Sequence, residues 1–410
     1  MKKLLLVLLI LSLFINHLNA NEKDLQIIQK DKKEYRLLDK ESIQTRQQSQ
    51  KYDWISPIDL SGNIGRNHSF SDENSRNLNN KNTKSASIGF TQSIYESGGI
   101  GFKMDYADNR FKYEMLSWEN QNSQLIYTIY NTLLDIKKLN LEIKQNEYRI
   151  VNKDIELIIK KIQYEAGKTD IIELNNAIMS KNLILKEEIA LKNSLKEKEQ
   201  ELAKYTDLKY DEIEILDFQE TNKEIFLDKN YSILEADAKV EMLNSEYKIK
   251  KSQYLPKLSL SAKASYSNQD EKFNSMINDT NKDDASSSGS LILSMPLYDY
   301  TKSSKIQESK IEVLKQKALV NDLKNETAFE YEQIFTKIDT YLKQNETINK
   351  NIKLYEELIG ANKISSEAGM TSKYDLEILE NTKTINEFDI LINKINILQQ
   401  YAKLYFKIKN

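Results

Sequence analysis

Few residues in this chain have the types and spacing that catalysis needs. It holds two His and no Cys, and His68 stands alone in a stretch of Asn, Ser and Asp that reads as a polar loop. A lone imidazole has no second ligand or base to work with. No Gly-rich phosphate loop occurs. Asp and Glu number 62 against 59 Lys and Arg, and along helical stretches such carboxylates are ordinarily solvated or paired with Lys at i,i+4. The eight Met are scattered and suggest no soft-metal relay. The chain is therefore not expected to be an enzyme or to need a cofactor or metal. A net charge of −3 offers nothing to offset phosphate repulsion, so nucleic acid is not an expected partner.

Two glycine turns do repeat. Tyr164-Glu165-Ala166-Gly167-Lys168-Thr169-Asp170 and Ser366-Glu367-Ala368-Gly369-Met370-Thr371-Ser372 each put Gly at the end of one helix, with Thr169, Asp170 or Thr371, Ser372 free to cap the next. The elements that carry them are long. Three Pro and ten Gly are too few breakers for a chain of 410 residues built any other way. From about Gly101 to Ala166 and from Thr301 to Ala368 the apolar residues keep a period near 3.5. Ile334, Ile338, Tyr341, Ile348, Ile352, Tyr355 and Ile359 set the second phase, with Asn345 in one slot. Leu125, Ile129, Ile136, Leu139, Ile143 and Ile150 set the first, with Thr132 and Asn146 in others. That period means left-handed coiled-coil packing over roughly 100 Å of helix. The residues alone leave open an ordinary two-stranded coiled coil. Return helices follow from Asp170 to Tyr205 and from Ser372 to Phe406. Between the halves lie an irregular acidic stretch, Thr206–Leu227, and a helix over Tyr231–Tyr254.

Period-2 alternation marks four strands. Leu258, Leu260, Ala262, Ala264 and Tyr266 share one face, and Lys257, Ser259, Ser261, Lys263 and Ser265 the other. Leu291, Leu293, Met295 and Leu297 form the partner face. In the first half Ile58, Leu60 and Ile64, then Ala86, Ile88, Phe90 and Ile94, alternate with polar residues. The stretches Arg66–Lys84 and Ser267–Ser287 read as long exposed loops, and Pro57, Pro256 and Pro296 fall at strand ends. Such hairpins suit a soluble core or an outer-membrane barrel.

Lys2 and Lys3, the apolar run Leu4–Ile15 and Leu18-Asn19-Ala20 have the order of a secretory signal, cut after Ala20. No later run approaches the roughly 20 apolar residues of a membrane helix, so any membrane span must be a β-barrel. Internal matches at nearly one offset divide the remainder. Tyr95 recurs as Tyr298, Glu165-Ala166-Gly167 as Glu367-Ala368-Gly369, and Ile58-x-Leu60-Ser61 as Leu258-x-Leu260-Ser261. The expected organisation is residues 21–227 and 228–410 as tandem repeats. Each has a helix, a hairpin (about 56–96 and 256–299), a long helix, a tip turn (164–170 and 366–372) and a return helix. Residues 206–227 close the first.

The helix from Ala236-x-Ala238-Lys239-Val240 into Lys250-Lys251-Ser252-Gln253-Tyr254-Leu255-Pro256-Lys257-Leu258-Ser259-Leu260-Ser261, the strand end Met295-Pro296-Leu297-Tyr298-Asp299 and the two Ala-Gly turns resemble the TolC-like outer membrane efflux protein family. The resemblance spans essentially the whole mature chain, although Ser93 stands where Pro296 does in the second half. It implies a mainly α fold with a small β part, in which a homotrimer forms a periplasmic α-barrel and a β-barrel of three times four, or twelve, strands in outer membrane lipid. It further implies passive export for an inner-membrane pump through a periplasmic adaptor, in tripartite efflux or type I secretion. By position, Asp375 corresponds to the family's entrance aspartate and Glu173 to its first-repeat counterpart, although a helix N-terminus favours an acid at Glu173 in any case. Ala166, Gly167, Lys168, Thr169, Ala368, Gly369, Met370 and Thr371 correspond to the tips that meet the adaptor. Ser366 and Thr371 replace the Tyr and Arg that tie the family's second tip shut, and Tyr164 is the candidate substitute. A soluble periplasmic coiled-coil adaptor or scaffold is the alternative.

Overall fold

A computed structural model describes residues 24–69, 79–216, 218, 220–270, 282–367 and 372–409. The expected signal segment, residues 1–20, lies outside them. The elements in order are α1 (Lys30–Tyr52), β1 (Asp59–Ser69), β2 (Asn79–Tyr95), α2 (Gly99–Glu165), α3 (Ile171–Leu202), α4 (Lys223–Asp228), α5 (Tyr231–Ser252), β3 (Lys257–Asp270), β4 (Lys282–Ser294), α6 (Lys302–Glu367) and α7 (Lys373–Lys407). Helix, hairpin, very long helix and return helix thus occur twice. Among the described residues no helix is long and apolar enough to cross a membrane.

The chain packs as two compact units, and each draws on both halves of the sequence. One comprises residues 41–115 and 235–320. It holds a single antiparallel sheet in the order β1-β2-β3-β4. The register puts the expected apolar positions on one face: Leu60 opposite Ile88 opposite Ala264, Phe90 opposite Ala262, Leu260 opposite Leu291, and Leu258 opposite Leu293. That face is bare. Leu60 is 79% exposed and Leu293 73%. The helical part of this unit is tied by polar contacts, among them Arg46 to Glu114 at 2.9 Å, Lys112 to Glu241 at 2.8 Å and Asn109 to Ser245 at 3.0 Å. Where β2 passes into α2, Ser97 and Gly98 take positive φ (51° and 88°), and the Ser97 hydroxyl donates to the Pro256 carbonyl at 2.7 Å.

Two expectations are corrected here. Arg66–Ser69, Asn79–Lys84, Ser267–Asp270 and Lys282–Ser287 are strand, not loop, and His68 sits in β1 opposite Asn80. Backbone pairing does not need an apolar face, so the ladder runs on past the point where alternation stops. Second, the register shifts between Ser93 and Tyr95, which leaves Ile94 as the extra residue and sets Tyr95 opposite Leu258. A β-bulge of this kind re-aims the side chains that follow it.

The other unit comprises residues 24–40, 116–234 and 321–409 of the described chain. Here α2 lies between two neighbours. On one side the Asn146 amide donates to the Ile184 carbonyl of α3 at 3.2 Å; on the other the Gln145 amide donates to Asp389 of α7 at 2.6 Å. On its far side α7 meets α6, where Asn393 donates to Asn345 at 2.9 Å. The flank order is α3–α2–α7–α6. Leu133, Leu134 and Ile136 of α2 are fully buried, while Ile172 and Leu183 on α3 and Leu354 and Ile364 on α6 are exposed. The irregular stretch before α5 contains α4, whose Phe226 is buried against Ile334, Ile338, Leu404 and Ile408. Tyr130 stacks on Phe406 with centroids 5.5 Å apart, and the Phe218 ring stands edge-on to both.

Phe226→Ala should cost about 3–5 kcal/mol, since the cavity would be walled by rigid helices. The check is a lower midpoint in urea of the helical circular-dichroism signal, with Tyr164→Ala at the exposed tip within about 0.5 kcal/mol of wild type. Glu330 accepts from Lys403 at 2.7 Å and from Lys407. Burial alone would raise its carboxyl, but the two lysines hold it below the usual carboxylate value. The folded chain then binds fewer protons there than the unfolded one. Its contribution is complete above the unfolded value of about 4.3 and fades as pH falls below it. Glu330→Gln should lower the midpoint at pH 7 and reduce its fall between pH 5 and pH 3.

Candidate functional site

The first tip is built by backbone chemistry. The last carbonyls of α2 lack helical partners and must find others. Lys168 N–H donates to Gln163 O at 2.8 Å and Gly167 N–H to Tyr164 O at 2.9 Å, the paired bonds of a Schellman closure. That closure needs a left-handed residue, and Gly167 supplies it with φ 68°. The chain then turns through Lys168 and Thr169 to Asp170, whose carboxylate accepts from Glu173 N–H at 2.9 Å and caps α3. Of the two caps offered by the sequence, Asp170 acts and Thr169 does not.

The second tip begins its return helix in the same way. The Ser372 hydroxyl accepts from Tyr374 N–H at 3.2 Å and caps α7. Ala368, Gly369, Met370 and Thr371, and the Ser366 side chain, lie outside the described residues, so the expectations placed on them stay as they were.

The two candidate acids differ. Glu173 is bound to Lys160 across the hairpin, Nζ to Oε2 at 2.9 Å. Asp375 is exposed in the first turn of α7, and among the described residues its carboxylate has no hydrogen bond or ion pair. The Tyr164 hydroxyl likewise makes no hydrogen bond among the described residues.

Lys160 was not singled out from the sequence, yet it belongs to a ladder. Lys181 meets Asp154, Arg149 meets Glu187 at 3.7 Å and Lys198 meets Asp135 at 3.4 Å along α2 and α3. Lys363 meets Glu380 at 3.4 Å and Lys383 meets Glu356 at 2.9 Å along α6 and α7. Each pair lies at nearly equal chain distances on either side of its turn, a signal present in the sequence. Half-buried Glu142 in α2 is pushed up, first by burial, against the opposing pull of Lys138 and Arg149. Among the described residues no cluster of three His, Asp or Glu could hold a metal. The described parts of the tips present charged and capping groups suited to ionic and hydrogen-bonding contacts.

Residues 224–403 match the family model of the outer membrane efflux protein. No curated protein sequence matches the chain. In fold it is similar to the Campylobacter jejuni CmeC outer membrane channel, at 12% identity and TM-score 0.70, covering 92% of this chain and 84% of that one. It is similar to the outer membrane protein VceC of Vibrio cholerae at 13% identity and TM-score 0.71, covering 93% and 94%. The open state of the Neisseria gonorrhoeae MtrE outer membrane channel gives 11% identity and TM-score 0.68, covering 94% and 87%. The second half, residues 224–403, thus matches the outer membrane efflux protein model, and over more than nine-tenths of its length the chain shares the fold of these solved outer membrane proteins.

Proposed function

We propose that the chain is one subunit of a homotrimeric channel in the outer membrane that conducts substrates passively outward. They reach it from an inner-membrane pump and a periplasmic adaptor, in tripartite efflux or type I secretion. The observation that carries the reading is the sheet. Its apolar face, Leu258 to Tyr266 along β3, is nine residues long, the length of a tilted strand through a bilayer, and it is exposed. Its outer strands β1 and β4 have no partner on their far sides among the described residues. Backbone groups cannot stay unpaired in hydrocarbon, so further strands must close it. Three chains supply them and leave the polar face inside. The exposed apolar flanks of α3 and α6 are free to meet neighbouring subunits in the same assembly.

In this reading the chain is exported by its first 20 residues, and 21–227 and 228–410 act as two like halves around the wall. The tips form the periplasmic entrance, with Ala166–Thr169 and Ala368–Thr371 as adaptor contacts. Asp375 supplies a ring of free carboxylates that favours cations. Glu173, already paired with Lys160, adds little.

The test of the whole is fractionation followed by electrophoresis of unboiled and boiled samples. A detergent-requiring, heat-modifiable trimer in the outer membrane is the expected result; a freely soluble periplasmic species would make the scaffold reading correct. In a reconstituted bilayer, Asp375→Ala should weaken cation preference and block by multivalent cations, and Glu173→Ala should leave both near wild type. Equal effects of the two would remove Asp375 from its special place.

A further inference from the structure

The polar face of the sheet is as ordered as the apolar one. Between the levels of Leu258 and Tyr266 its rows run Ser93–Ser259–Ile292, Thr91–Ser261–Ser290, Asp59–Gly89–Lys263–Ser288 and Ser61–Ser87–Ser265–Ser286. Apart from Ile292, Gly89, Asp59 and Lys263, every position is Ser or Thr. Neighbouring hydroxyls bond across strands: Ser61 with Ser87 at 2.8 Å, Ser265 with Ser286 at 2.8 Å, and Thr91 with Ser261 at 3.0 Å. Groups bonded to one another present a neutral, hydrated wall.

The two charges in this band fall in one row. Asp59 and Lys263 lie two strands apart, about 10 Å at strand spacing. Gly89 lies between them. A Cβ there would come within 3.3 Å of the Lys263 stem and 3.1 Å of the Ala262 carbonyl, so a side chain would crowd the lysine. Both charged groups are exposed, and neither has an ion pair among the described residues. The other charged side chains described on this face, Lys257 and Asp284, stand beyond the band, one at each end.

We infer that Asp59 and Lys263 form a charge-balanced ring in an otherwise largely hydroxyl-lined band of the barrel, which keeps the barrel itself indifferent to the sign of the ion and leaves any cation preference to the entrance. This deepens the channel reading and rests on it. Closing three chains alternates the signs around the lumen with no net charge, so the barrel passes polar solutes of either sign. Charged side chains ringing a pore select by sign only when one sign is in excess.

The experiment is reversal-potential measurement in a salt gradient across a planar bilayer holding the purified full-length protein. Lys263→Glu should raise the cation-to-anion permeability ratio several-fold, and Asp59→Lys should lower it several-fold. The swap Asp59→Lys with Lys263→Asp should return it to the wild-type value, which mere local damage would not do. Heat-modifiable migration of each variant checks that the barrel is closed. Single reversals that leave the ratio unchanged in a conducting trimer, or a swap that fails to restore it, overturn the inference. A wild-type trimer that opens no conductance at all overturns the channel reading and this ring with it.

Discussion

Unpaired backbone groups in hydrocarbon cost several kcal/mol each, and in the proposed channel that cost governs the sheet. A four-stranded sheet with one bare apolar face has two open edges. It cannot rest in lipid alone, and in water it would expose a continuous apolar surface. In the proposed channel, closure by further copies resolves both difficulties at once. It also requires the second face to be polar, because a barrel of this size has an interior that side chains and water must share. The hydroxyl rows opposite Leu60, Ile88 and Ala264 meet that requirement without placing unbalanced charge near the lipid.

The helices solve a different problem with thinner resources. A helix wetted on one side cannot bury apolar residues all round, so it must find register and adhesion elsewhere. Exposed ion pairs are each worth about 0–1 kcal/mol and add little stability singly. Their value lies in spacing. Lys160–Glu173, Asp154–Lys181 and Arg149–Glu187 climb the first hairpin in step, and Lys363–Glu380 and Glu356–Lys383 climb the second. A slip of one helix along the other would misplace every rung together.

Much of this was legible because it rests on local rules. Period-2 alternation gave the faces of all four strands within the paired ladder, since side-chain direction is fixed by the pleat, but Ile58, Met295 and Leu297, expected on those faces, lie just outside the strands. Gly167 and the caps Asp170 and Ser372 were readable because orphan helical groups admit few solutions. Other features were not readable, for reasons of the same kind. The ends of β1–β4 lie in Asn-, Ser- and Asp-rich sequence whose pairing is specified by the neighbouring strand rather than by composition. The extra residue at Ile94 has no mark in the sequence, for Ile94 alternates correctly with Ser93. Lys160 looked like one lysine among many until its partner's place across the turn was known.

The polar residues in the heptad slots close the argument, because propensity alone makes them look like errors. Asn146 is 1% exposed and Thr132 2%. Both are in α2, one of the two helices held between neighbours, whereas Asn345, the polar slot of α6, is only half-buried. Beside Asn146 the contacts to α7 are amides: Gln145 to Asp389, the Asn381 amide to the Asn152 carbonyl at 2.9 Å, and the Asn152 amide to Thr382 at 3.3 Å. An apolar seam of repeating Ile would accept a shift of one heptad at small cost. These groups would not, since each amide separated from its partner and left buried costs about 1–3 kcal/mol. The inner helices α2 and α7 thus carry, at Gln145, Asn152, Asn381 and Thr382, polar groups that tell one alignment from the next.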